Sequence, residues 1–121
     1  MRKKACRHGM TSYIINDLTT GQVLDLYGEF SEIAVAFLCE FLEDGDVTFE
    51  VDANIGSLTL PLANAVGEEG TFIAFEPQPF LLQNLCAIIA LNGLRHIRTV
   101  NGAVGNRQGS VRLPKLEHTK P

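Results

Sequence analysis

Residues 46–100 alternate short runs of strand type with longer runs of helix type, and no other feature constrains the fold as much. The stretch "DVTFEVDA" (46–53) sets Val47, Phe49 and Val51 at every second position, the period of a strand. In "GSLTLPLANAVG" (56–67), Leu58, Leu62 and Ala65/Val66 share one helical face and Gly67 ends the run. Pro61 is tolerable because it falls near the first turn, where a missing N–H costs little. "TFIAFE" (71–76) is apolar without alternation, as expected of a strand covered on both faces. "PQPFLLQNLCAIIALNG" (77–93) reads as a helix opened by Pro79 and closed by Asn92-Gly93. "HIRTVNGAVG" (96–105) supplies a third strand and its turn, and "GSVRLP" (109–114) a short fourth. Short connections between strand, helix and strand dictate a parallel sheet with right-handed crossovers. The predicted class is α/β: part of a Rossmann-like doubly wound sheet, three strands in spatial order 3-2-1, with helices on its faces.

The N-terminal third is less regular. Residues 1–10 read as a polar arm, and residues 11–28 as short strands or turns broken by Asn-Asp and Thr-Gly. "SEIAVAFLCEFLEDGD" (31–46) reads as a helix capped by Ser31 and ended by Gly45 in a C′ role. Its apolar stripe is Ile33, Phe37 and Phe41, with Ala34, Leu38 and Leu42 beside it. The domain division that follows is 1–45, an arm with short strands and a helix, and 46–121, half of a cofactor-binding domain. The tail 115–121 is polar and expected to fray.

Charge narrows the function. All ten Lys and Arg lie in residues 2–7 or 95–120, while 13 of the 14 acids lie between Arg7 and Arg95. A nucleic-acid groove needs clustered cations, and the middle of this chain has none, so nucleic acid is not an expected partner. The basic ends are read as solvated termini. The longest apolar runs, 33–39 and 86–91, are far short of the ~20 residues of a membrane span. Cys6, Cys39 and Cys86 lie far apart with no CxxC, which fits reduced, buried thiols in a cytoplasmic protein. His8, His96 and His118 lack metal spacing and read as surface residues; no metal is expected. The absence of G-x-S-x-G leaves hydrolase chemistry unsupported.

In open α/β sheets ligands sit beyond the carboxyl ends of the strands. Two acids mark those ends, Glu50 and Glu76. A strand-ending carboxylate can accept both hydroxyls of a ribose, and Glu76 lies at a suitable distance beyond the loop. That loop offers Asp52, Asn54 and Gly56, which is not the G-x-G-x-x-G spacing that cradles a pyrophosphate. A carboxylate facing a dianion would also repel it, and a P-loop is excluded because no G-K-[ST] exists. S-adenosylmethionine carries a sulfonium and an ammonium, so an acidic, lysine-free crevice suits it better than a dinucleotide.

Several stretches carry a resemblance: "RHG" (7–9), "LDLYGEFSE" (24–32), "GDVTFEVDANIGSLTLPLA" (45–63), "GTFIAFEPQPFLLQNLCAIIALNGL" (70–94) and "NGAVG" (101–105). Together they resemble the FkbM family of S-adenosylmethionine-dependent methyltransferases across most of residues 7–113. The resemblance implies a class I methyltransferase fold and O-methylation of a sugar or other small metabolite. It implies that Glu50, Asp52, Ala53, Asn54 and Gly56 meet the methionine part of the cofactor. It sets Glu76 at the ribose with Pro77 and Gln78 beside it, and Asn101, Gly102 and Ala103 near the adenine. Tyr27, Gly28 and Glu29 either approach the crevice or merely pack the N-terminal segment. No catalytic residue is assigned; methyl transfer needs chiefly alignment of acceptor and sulfonium.

Three departures accompany the resemblance. Asp52 stands where the family pattern has glycine, which implies weakened binding that Asp52→Gly restores. Ile33-Ala34 follow "YGEFSE" where relatives have Gly-Glu. The chain also stops after its third parallel strand, whereas a complete fold of this class has about seven strands. The expectation is therefore a truncated methyltransferase. Alternatives are a non-catalytic adenosine-binding module or an inactive fragment completed by a partner chain. The first parallel strand is left with an open edge, through which a homodimer could form.

Overall fold

The computed structural model describes residues 1–114; the tail 115–121, with His118, lies outside the described residues. Three strands, β3 (Val47–Val51), β4 (Thr71–Phe75) and β5 (Ile97–Val100), form a parallel sheet in the order β3-β4-β5. Helix α3 (Thr59–Val66) connects the first two, and α4 (Pro79–Leu91) the last two. The sequence punctuation holds here. Gly67 closes α3 at φ 69° and donates to the Ala63 carbonyl, while Pro79 opens α4 where its missing N–H is not needed.

Both crossover helices lie on one face of the sheet. Phe72 and Ala74 of β4 pack there with Leu62, Ala63, Val66 and Leu85 to form the main core. The opposite face is open, and this corrects the expectation of a strand buried on both sides. Thr71, Ile73 and Phe75 are half-buried, and Val47, Phe49 and Val51 are 67%, 65% and 56% exposed. Successive right-handed crossovers running in one direction put every helix on the same side; only a reversal of strand order covers the other. The strand expected at 109–114 is not formed: those residues are exposed and join no ladder.

The N-terminal arm is a hairpin. β1 (Arg2–Cys6) pairs antiparallel with β2 (Gly9–Tyr13), from Arg2 opposite Tyr13 to Cys6 opposite Gly9. Arg2 and Lys4 stand on the side of β1 that meets residues 20–27, where both bond to Asp25, and these charges at inward positions hide its alternation. Residues 20–27 form a helix, α1 (Thr20–Tyr27), not strands or turns. The Asp17 carboxylate accepts the N–H and O–H of Thr19 just ahead of it, and Gly28 closes it in left-handed conformation. Gly21 looks like a breaker, but a Cβ there would collide with the Ile14 carbonyl oxygen, so the glycine is needed for packing.

α2 (Glu32–Cys39) is shorter than predicted. Ser31 sits left-handed at φ 55° and makes no side-chain cap, and Gly45 is not at C′. The helix instead tightens into i→i−3 bonds, from Glu40 to Phe37 and from Phe41 to Leu38. Its stripe faces outward, with Ile33, Phe37 and Phe41 exposed at 90%, 60% and 68%. Val35 is buried, and Cys39 and Leu42 reach the main core.

The hairpin is not a set of solvated charges. Arg2 pairs with Asp25 at 2.9 Å, and Arg7 with Glu29 at 2.9 Å. Tyr13 is fully buried and donates to Asp25 at 2.6 Å. Burial, then that hydrogen bond, pushes the Tyr13 hydroxyl up to about 12, and the same bond holds the Asp25 carboxyl below its ordinary range. All three cysteines are free, but Cys86 is exposed, at the edge of the sheet where its sulfur lies 3.5 Å from the Thr99 hydroxyl of β5. No helix among the described residues is long and apolar enough to cross a membrane.

Candidate functional site

The loops leaving β3, β4 and β5 meet at the carboxyl end of the sheet. The loop after β3 has an alternating backbone: Asp52, Asn54 and Gly56 all take positive φ, at 61°, 57° and 95°. Ala53 between them is buried and donates its N–H to the Phe75 carbonyl, which carries the β3–β4 ladder one step further. Gly56 lies against α4, where a Cβ would stand 2.7 Å from Leu85 Cδ1. Asp and Asn tolerate left-handed backbone better than other non-glycine residues, but at a cost, and such strain concentrates at functional loops.

Glu76 holds this loop. It is 3% exposed, and its two oxygens accept different main-chain N–H groups: Oε1 that of Asn54 at 2.8 Å and Oε2 that of Gln78 at 2.7 Å. Asn101, beyond β5, donates its side-chain amide to the carbonyls of Glu76 and Pro77 at 3.0 and 2.9 Å. Asn54, Glu76, Pro77, Gln78 and Asn101 thus form one hydrogen-bonded group that links all three strand ends. Each Glu76 oxygen retains a lone pair for a further donor.

Glu50 lies beneath the loop, on the face covered by α3, and accepts the Thr59 hydroxyl. Burial pushes its carboxyl up to about 7, against the lowering effect of that hydrogen bond. Asp52 and Ala103 are exposed at the rim, and Gly102 is half-buried between Asn101 and Ala103. No basic side chain among the described residues pairs with Asp52, so the rim keeps its acidic character.

Gly28 and Glu29 serve the hairpin, and Tyr27 points to solvent. Gly28 accepts the Arg7 N–H at 2.8 Å, Glu29 pairs with Arg7, and Tyr27 is 73% exposed. His8 and His96 are half-buried, contrary to the surface reading: His8 Nε2 lies 2.8 Å from Glu32, and His96 Nε2 lies 2.8 Å from the Ala63 carbonyl. Among the described residues no three His, Cys, Asp or Glu side chains gather as a metal ion would require. A cavity of about 460 Å³, lined by Glu68, Gly70, Gly93, Leu94, Arg95 and His96, opens at the other end of the sheet, away from this group.

Two supporting residues escaped the sequence reading. Thr59 orients Glu50 from the first turn of α3. Asn84 is 5% exposed and donates to the Ile55 carbonyl in the loop and to the Ser12 carbonyl in the hairpin. A polar residue among Leu81, Leu85 and Ile88 on the buried face of α4 was the available signal.

Comparison with solved structures finds this fold in methyltransferases. An S-adenosylmethionine-dependent O-methyltransferase from Thermotoga maritima superposes with a TM-score of 0.57 at 14% identity, over 84% of this chain and 48% of that one. A methyltransferase with the same cofactor dependence from Aquifex aeolicus gives 0.56 at 22% identity, over 73% and 45%. A Clostridium thermocellum protein provisionally assigned as an rRNA methylase gives 0.56 at 22%, over 60% and 41%. The likeness is one of fold, and the chain spans less than half the length of each of these proteins. No protein-family profile and no curated protein matches the chain.

Proposed function

We propose that the carboxyl end of the β3-β4-β5 sheet binds S-adenosylmethionine. The observation that carries this reading is the group around Glu76, where a buried carboxylate positions a left-handed, lysine-free loop at the strand ends. The methyltransferase fold of its structural neighbours supports it. In this reading Glu76 receives the ribose hydroxyls on its remaining lone pairs. Pro77 and Gln78 line the same side, and Asn101, Gly102 and Ala103 face the adenine. Ala53, Asn54 and Gly56 meet the methionine moiety through main-chain groups. Glu50 supports the loop from beneath through Thr59, while the Asp52 carboxylate at the rim faces the carboxylate of the methionine moiety and weakens binding.

For the whole protein the proposed activity is methyl transfer of FkbM type, to a hydroxyl of a sugar or other small metabolite in the cytoplasm. The acidic rim favours a small acceptor over a nucleic acid, because no Lys or Arg lies between Arg7 and Arg95 to neutralise phosphates there. Binding without turnover is the second reading for this chain, favoured by its span of under half of each neighbour.

Isothermal titration with S-adenosylhomocysteine tests the proposal. Saturable 1:1 heat that disappears in Glu76→Ala is the expected result. If neither the native chain nor Asp52→Gly binds, the proposal fails.

A further inference from the structure

The chain holds two Asn-Gly pairs, Asn92-Gly93 and Asn101-Gly102. In such a pair the glycine main-chain nitrogen can attack the asparagine side-chain amide, because no Cβ shields it and the backbone bends freely. Whether a pair reacts depends on how the fold holds that nitrogen, the amide carbon Cγ and the amide nitrogen that must leave. The two pairs are held in opposite ways. Asn92 is clamped between α4 and β2. Its Oδ1 accepts the Met10 N–H at 2.9 Å, and its Nδ2 donates to the Met10 and Ile88 carbonyls at 2.7 and 2.8 Å. Gly9 packs on the same amide, where a Cβ would collide with Asn92 Oδ1. The Gly93 N–H donates to the Ala90 carbonyl at 3.2 Å, with Gly93 left-handed at φ 64°. The nucleophile is occupied, and the amide cannot turn toward it without releasing the hairpin.

Asn101 follows β5, in a loop that joins no ladder. Its Nδ2 donates to the Glu76 and Pro77 carbonyls, but its Oδ1 has no partner among the described residues, and neither has the Gly102 N–H. Nothing fixes the backbone at Gly102. It is not left-handed, and an added Cβ would meet only Val100 Cγ1 at 3.7 Å, an ordinary contact. We propose that Asn101 is a site of spontaneous deamidation through Gly102, and that the fold protects Asn92 from the same reaction. The Gly102 nitrogen gives its proton to hydroxide and bonds to Asn101 Cγ. The Cγ–Nδ2 bond breaks, and ammonia leaves with a proton taken from water. The five-membered succinimide that remains is opened by water at either carbonyl, which gives aspartate or isoaspartate. The balance is one water consumed and one ammonia released, with no change of oxidation state.

The consequence falls on the group that joins the strand ends. The atom that leaves, Nδ2, is the donor that ties the end of β5 to the residues after β4. An oxygen with negative charge takes its place beside two carbonyl oxygens, so two acceptors lose their donor and face a third acceptor. Isoaspartate also inserts an extra carbon into the main chain between residues 101 and 102. Glu76, whose own carbonyl was held by Asn101, then carries the Asn54 and Gln78 N–H groups from a less fixed position. The reaction thus adds charge to an acidic rim and loosens its support in one step.

Incubation of the full chain at mildly alkaline pH, followed by proteolysis and peptide mass mapping, tests the proposal. Cleavage after Arg98 and Arg107 isolates Asn101. The expected result is conversion of Asn101 to the two aspartyl forms about tenfold or more faster than Asn92, whose reaction waits for local opening. In urea the two asparagines should convert at similar rates, because the difference lies in the fold. Gly102→Ala, whose Cβ the structure accommodates, should slow conversion at Asn101 several-fold with circular dichroism unchanged. Asn101→Asp should lower the urea midpoint and speed hydrogen exchange at the Gln78 amide, which Glu76 holds. An Asn92 that converts as fast as Asn101 in the folded chain overturns the proposal. So does an Asn101 that stays intact when folded, or a rate that Gly102→Ala leaves unchanged. An Asn101→Asp chain as stable as the native one overturns the consequence for the strand ends. All of this is read without cofactor, so it stands apart from the binding test.

Discussion

The carboxylate of Glu76 accepts the main-chain N–H of Asn54 at 2.8 Å, so the acid that ends β4 holds the loop that leaves β3. Its second oxygen takes the Gln78 N–H, so one carboxylate satisfies two main-chain donors from different loops. Glu76→Ala leaves two main-chain donors without their acceptor. The expected loss is on the order of 2 kcal/mol in urea unfolding, with an unchanged m-value. Glu76→Gln keeps one acceptor but turns an amide N–H₂ toward the other donor, so it should recover less than half of that stability.

Asp52 sits at φ 61°, where the resemblance calls for glycine. Asp52→Gly relieves left-handed strain of about 1 kcal/mol but adds freedom to the unfolded chain, at a cost of about 0.5–1 kcal/mol. The melting temperature should therefore move little. Affinity for S-adenosylhomocysteine should rise about tenfold, because a side chain leaves the loop that faces the cofactor's carboxylate. Calorimetry on the two proteins separates these effects. A large rise in melting temperature with no gain in affinity would show that Asp52 matters only to the backbone.

Burial raises the Glu50 carboxyl from an ordinary 4.5 to about 7, so folding favours its protonated form. The sign follows from proton linkage. The stabilisation is complete below the unfolded value and is lost as pH rises through about 7. A shift of this size corresponds to on the order of 3 kcal/mol between pH 4.5 and pH 8. Glu50→Gln, which cannot ionise, should flatten that part of the pH–stability profile. The check is unfolding free energy measured at half-unit steps of pH for both proteins.

The sheet was legible because its signals are local. Val47, Phe49 and Val51 alternate, Gly67 and Pro79 punctuate the helices, and short connections force parallel strands. What was missed depends on distant contacts. Gly21 breaks a helix on paper, yet it is the residue that lets α1 lie against Ile14. The hairpin was hidden because the partners of Arg2 and Arg7 are Asp25 and Glu29, more than twenty residues away. Ser31 suggested a cap by its chemistry, but its left-handed backbone gives the hydroxyl no helix N–H to accept. At the site, the choice of Glu76 came from its place at a strand end. Its two main-chain donors could not be foreseen, because they depend on how the loops fold back.

Asn84 couples the hairpin to the site, and this gives the sharpest test of how the layers depend on each other. Its side-chain amide donates to the Ser12 carbonyl at 2.8 Å and to the Ile55 carbonyl at 3.2 Å, in a position that is almost fully buried. Asn84→Ala leaves two buried carbonyls without a donor and opens a small void, which should cost about 2–4 kcal/mol. The loss should not be uniform. Asn92 still holds Met10 through two bonds at the other end of β2, so the hairpin stays tethered there. Tyr13 and Ile55 belong to the same apolar cluster, so loosening at Ser12 reaches the loop directly. Hydrogen exchange should therefore speed up at residues 11–14 and 53–56 well beyond the change at β4. Equal acceleration everywhere would mean that the hairpin and the parallel sheet unfold as one unit and that Asn84 only adds to global stability.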